Sequence, residues 1–93
     1  MIDFTLNGKD YHSEKEVDFK LIYSFEKQGI ALDEIGEHTL ELIICLVSYF
    51  GGIGKIDALE EINKHFKNGG KMSDLTPLIE YFTKSDFFQK MQA

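Results

Sequence analysis

At 93 residues the chain is bounded to a single domain over 1–93, long enough for a core but too short for a core plus an elaborate active site. Sixteen acidic side chains against ten basic ones give a formal charge of −6, which repels phosphate backbones and argues against nonspecific nucleic-acid binding. The lone cysteine, Cys45, excludes an internal disulfide; no apolar run approaches a bilayer span, and no charged start with a long apolar segment opens the chain, so a soluble, non-exported protein of a reducing compartment is expected.

Ile2, Phe4 and Leu6 alternate with Asp3 and Thr5 and lead into Asn7-Gly8, the dipeptide best suited to a type I′ turn. A β-hairpin over 1–12 is predicted, with Tyr11 on the return strand. Ser13 to Glu16 matches a capping box and predicts a first helix over 14–28. Val17, Leu21 and Phe25 fall at i, i+4 and i+8 beside Ile22, Phe19 and Tyr23 mark a neighbouring stripe, and Gly29 is the predicted stop. Residues 30–36 read as a short helical turn. Glu37 to Phe50 is the most apolar stretch, with Glu37 and Glu41 near the positive end of its dipole. Leu40, Ile43, Ile44 and Val47 make one face, but Leu42, Cys45, Leu46 and Tyr49 carry apolar surface around most of the circumference. Such a helix is central or faces a partner.

The stretch FGGIGK, residues 50–55, has the glycines and lysine of a phosphate loop but not its pattern. Tyr49 stands where the first glycine belongs, Ile56 replaces the hydroxyl residue, and a helix precedes where a strand should. It is predicted to be a turn between helices, with Gly51 and Gly52 left-handed. A third helix is placed at 57–67, started by Asp57 to Glu60 and carrying Leu59, Ile62 and Phe66; Asn68 to Lys71 is a tight connection. Thr76-Pro77 starts a fourth helix, with Ser73 as an alternative cap, and Leu75, Leu78, Ile79 and Phe82 form its inner face. Phe87, Phe88 and Met91 lie near the end of the chain, where polar residues are the norm. The fold class is mainly α: a short N-terminal β-hairpin, then a small bundle of four to five helices over 14–93.

No catalytic constellation is found. His12, His38 and His65 are scattered, and Glu34, His38 and Glu41, which would share one helix face, are interrupted by Gly36. No catalytic residue, metal site or cofactor is expected, and the protein is read as a non-enzyme. Residues 57–84 could be laid out as a helix-turn-helix, but the recognition helix would carry Glu80 and Lys84, and the chain has no arginine. What is in excess is apolar and aromatic surface, with eight Phe and four Tyr. Such surplus marks a protein-binding groove or a self-association face. The pool from which those contacts are drawn is Phe19, Tyr23, Leu40, Ile44, Val47, Phe50, Phe82, Phe87 and Phe88.

The order of LNGKDY, VDFKLIYSFEKQGIALDEIG, a very apolar helix and LEEINKHFKNGGKMSDLTPLIEYFTKSDFF resembles the small tail assembly chaperones of long-tailed bacteriophages, most closely those of lactococcal siphophages. The likeness covers nearly the whole chain and rests on order and spacing. It implies a protein of the infected host's cytoplasm, absent from the mature virion, that binds the tape measure protein, a very long and largely helical chain, and keeps its apolar stripes soluble until tail tube subunits polymerise around it. It also implies many copies per client, hence a homo-oligomer, and in many members a longer form made by frameshifting. No nucleic acid or membrane partner follows. The alternatives are a small phage DNA-binding regulator and an adaptor or inhibitor of a host protein.

Overall fold

The computed structural model describes residues 1–92, and its elements follow from local sequence in most places. Strands β1 (Ile2–Leu6) and β2 (Lys9–Ser13) pair antiparallel, with Ile2 opposite Ser13 and Leu6 opposite Lys9. Asn7 and Gly8 both take positive φ, 53° and 76°, as the predicted I′ turn requires. The alternation puts Ile2, Phe4 and Leu6 on the buried face, and Phe4 stacks on Tyr11 with ring centroids 4.9 Å apart. Five helices follow: α1 (Phe19–Lys27), α2 (Thr39–Gly51), α3 (Lys55–Lys67), α4 (Thr76–Thr83) and α5 (Asp86–Gln92). Short 3₁₀ turns at Leu32–Glu37 and Met72–Asp74 join them. The mainly helical architecture behind an N-terminal hairpin is the predicted one.

The first helix starts five residues later than its capping box predicts. Ser13 is the last residue of β2, buried, and its hydroxyl accepts from the Lys15 N–H at 3.1 Å instead of capping a helix. The cap is Asp18, extended at φ −140°, whose Oδ1 accepts from the Leu21 N–H at 3.1 Å. Tyr49 of α2 holds the intervening segment extended: its hydroxyl donates to Asp18 Oδ1 at 3.2 Å, and Lys15 Nζ donates to the Tyr49 carbonyl at 3.0 Å. Burial, then the neighbouring Asp18, pushes the Tyr49 hydroxyl above its ordinary pKa. Val17 is therefore buried from an extended strap, not from the helix. Gly29, at φ 88°, stops α1 as predicted.

Helix α3 also departs from its predicted start, beginning at Lys55 with Gly54 as N-cap and no side-chain cap. In the FGGIGK stretch Gly51 is the last residue of α2 and only Gly52 is left-handed, at φ 67°. The Lys55 ammonium pairs with Glu41 across the turn.

The core lies between the hairpin and the helices, with α2 at its centre: Leu42, Ile43, Cys45, Leu46, Val47 and Phe50 are all buried on it. An aromatic chain closes the far side, Phe82 meeting Phe25 edge-on at 5.3 Å and Phe88 at 4.5 Å. The hairpin tip is tied to the end of α3. The Asn7 N–H donates to His65 Nδ1 at 2.8 Å, so the proton on that ring sits on Nε2, 2.9 Å from Asp74 Oδ2. Asp74 also accepts from the Lys71 N–H at 2.9 Å.

Two outcomes follow. Phe82→Ala, by emptying the centre of the aromatic chain, should lower unfolding free energy by about 3–5 kcal/mol in urea melts. The Lys71 N–H first, and His65 next, hold the Asp74 carboxyl below its usual 3.8. A depressed folded pKa contributes stability that is present above the unfolded value and lost as pH falls through the folded one. Asp74→Asn should therefore be less stable than the wild type at neutral pH, and the gap should close in acid melts below about pH 3.8.

Candidate functional site

The nine residues predicted as contact surface divide into core and surface. Val47, Phe50, Phe82 and Phe88 are buried, the first three almost completely, and that corrects their assignment to a contact surface: the helices they would face a partner from are covered by other elements. Phe87 and Ile44 are half-buried and packed against the core. Phe19, Tyr23 and Leu40 are exposed, at 62%, 51% and 68% of their surface. Phe19 and Tyr23 stand at i and i+4 on the outer face of α1, with Lys27 over the Tyr23 ring at 5.2 Å.

Leu40 and Ile44 belong to a groove. The chain turns by 110° between α2 and α3. A closely packed antiparallel pair would turn by about 160°. The two helices therefore splay, and their facing apolar sides open a wedge of about 230 Å³. Leu40, Ile43 and Ile44 line it from α2, Leu59, Ile62, Asn63 and Phe66 from α3, and Met72 from the 3₁₀ turn beyond. Ile43 and Ile62 are buried and join the floor to the core, whereas Leu59, Phe66 and Met72 are exposed.

Helix α3 explains how this face arises. The predicted inner set, Leu59, Ile62 and Phe66, is split: Ala58 and Ile62 pack inward, and Leu59 and Phe66 point to water. Ile56, Leu59, Asn63 and Phe66 lie at i, i+3, i+7 and i+10, a second stripe beside the buried one. Ile56, at its N-terminal end, is 76% exposed. Single exposed apolar residues are ordinary, but a contiguous set across two helices and a turn is not. Fully burying one such side chain is worth about 1.5–3 kcal/mol, so this face gains by being covered.

The wedge is shaped for protein side chains. Its volume is below the roughly 300–1,000 Å³ of small-molecule sites, and its one polar lining residue is Asn63. Ile56, Leu59, Phe66 and Met72 were not singled out from sequence as contact residues. The readable signal was the second stripe on α3, which a second count at helical spacing reveals.

The remaining polar clusters do not assemble into a site. Among the described residues no group of three or more His, Cys, Asp or Glu side chains is placed to hold a metal ion. His38 pairs with Glu34 at 3.7 Å, and Glu41 is taken up by Lys55. His12 lies between Asp3 and Glu14 on the exposed edge of the hairpin, and hydrogen bonds to the two carboxylates, Asp3 first, raise its pKa above 6.5. Cys45 is 2% exposed, and burial, with Glu41 nearby, pushes its thiol up to about 11. Comparison with known protein families, curated proteins and solved structures gives no match.

The groove makes a stability contrast measurable. Leu59→Ala should change unfolding free energy by no more than about 0.5 kcal/mol, as for an exposed site. Ile62→Ala, three residues on, should lose about 2 kcal/mol or more. Cys45 should react with a disulfide reagent at least about tenfold more slowly in the native protein than in denaturant at the same pH, since a buried, protonated thiol is a poor nucleophile.

Proposed function

We propose that this protein is a phage tail assembly chaperone that holds apolar helical segments of the tape measure protein in the groove between α2 and α3. The observation that carries the reading is the open apolar groove itself, lined from two helices on an otherwise charged, acidic protein. The exposed stripe Ile56, Leu59, Asn63 and Phe66 runs for about three helical turns, the length over which a docked helix presents i, i+3/i+4 and i+7 anchors.

The chemistry required of such a chaperone is modest. The client has to be covered, not transformed, and the cover has to come off when tube subunits polymerise along the client. A shallow groove with a few exposed anchors suits that, because most of the binding energy rests in a small number of side chains and dissociation stays fast. Several copies along one long client, touching one another, would coat it cooperatively, and the exposed Phe19 and Tyr23 face on α1 offers surface for such neighbour contacts. On this reading the protein works in the host cytoplasm as a homo-oligomer and leaves before the virion is complete.

Co-expression with overlapping helical fragments of a tape measure protein tests it. The wild type should yield a soluble complex with several copies per fragment by chromatography with light scattering, and Leu59→Asp, which should fold normally, should yield far less. Fragments that stay insoluble beside the wild type, or complexes that Leu59→Asp leaves unchanged, would overturn the reading.

A further inference from the structure

Asn63 is the one polar side chain in the lining of the α2–α3 groove, and it stands mid-stripe on α3, four residues after Leu59 and three before Phe66. It is exposed, and no hydrogen bond joins its amide to another side chain or carbonyl among the described residues. A helix docked along the stripe would lie over that amide and strip its water. An amide covered by leucine is left with unmet donors and acceptors, whereas one covered by another amide or a hydroxyl is satisfied. A single buried Asn among apolar positions sets register and partner choice in paired helices by this means.

The charge around the groove narrows the occupant further. At the Leu40 end Glu37 and Glu41 edge the surface; Glu41 is paired with Lys55, and Glu37 has no cationic partner among the described residues. The protein as a whole carries a charge of −6. A helix with lysine or arginine beside its apolar stripe meets this rim favourably, and an acidic one does not.

Resting on the groove reading above, we infer that Asn63 is a specificity-determining residue, and that the segment docked there is a basic amphipathic helix whose apolar stripe is interrupted once by an amide or hydroxyl side chain. Asn63 fixes the register of the client by pairing with that group. Stretches of client whose stripe is unbroken leucine or isoleucine are held less well, so the copies settle at defined positions along a long helical chain.

The test uses two synthetic amphipathic peptides with lysine on the polar face, one with an all-leucine stripe and one with a single central Gln in it. Each is titrated into the full-length wild type and into Asn63→Leu by calorimetry. The preference for the Gln peptide over the leucine peptide should be about tenfold greater for the wild type than for Asn63→Leu, the ratio expected for one satisfied against one unsatisfied amide. Ratios equal within about twofold in the two proteins would overturn the role of Asn63 while leaving the groove as a binding surface. If neither peptide bound the wild type, the inference would fall together with the groove reading.

Discussion

Helix α2 has to be surrounded. Six of its thirteen residues are buried, distributed so that no single neighbour can cover them, and each would cost about 1.5–3 kcal/mol if returned to water. The hairpin, α1, α3 and α4 all pack on it. The dependence is mutual. Helices α1, α4 and α5 have nine, eight and seven residues, below the about 12–15 at which isolated helices become even marginal, and a lone two-stranded hairpin is no more stable. Each is held in place by the apolar surface that it hides. The groove is a consequence of the same geometry, since α3 leaves α2 at an angle too open to close over the first turns of that helix.

How far the sequence could be read depended on how local the deciding interaction is. Asn7-Gly8, Gly29 and Thr76-Pro77 act through their own backbone, and the turn, the stop and the start they announce are where they were expected. Ser13 to Glu16 has an equally good local pattern, yet the helix begins at Phe19, because Ser13 is claimed by the ladder opposite Ile2 and Tyr49 holds the following strap. Both partners are remote in sequence. The same holds for α3, where spacing alone pointed Leu59 and Phe66 inward but tertiary packing chose Ala58 and Ile62. Among the contact residues, Leu40 and Ile44 lie in the groove, and Phe82 and Phe88 are in the core for a reason that periodicity cannot supply: they close on Phe25 from the opposite end of the chain.

The separation of core from groove shapes the proposed mechanism. The deeply buried residues sit on the side of α2 facing the hairpin, α1 and α4, whereas Leu59, Phe66 and Met72 stand free on the other. Covering the groove requires no unfolding, so binding can be fast and reversible. Ile43 and Ile62, buried in the floor, keep the two walls at a fixed separation. A holder that must later be displaced benefits from such an arrangement, because its affinity can be weak while its own stability stays untouched. The FGGIGK turn serves this geometry: Gly52 reverses the chain, and Lys55 is spent on Glu41.

The most direct test of the account is a map of where a helical client touches the protein. Amide and methyl spectra of the full chain, recorded while a soluble tape measure fragment is titrated in, would supply it. The account predicts that the shifts concentrate at Leu40, Ile44, Leu59, Asn63, Phe66 and Met72 while the signals of Phe25, Val47 and Phe82 hold still. Shifts centred on Phe19 and Tyr23 with the groove unmoved, or a general broadening of the core signals, would contradict it.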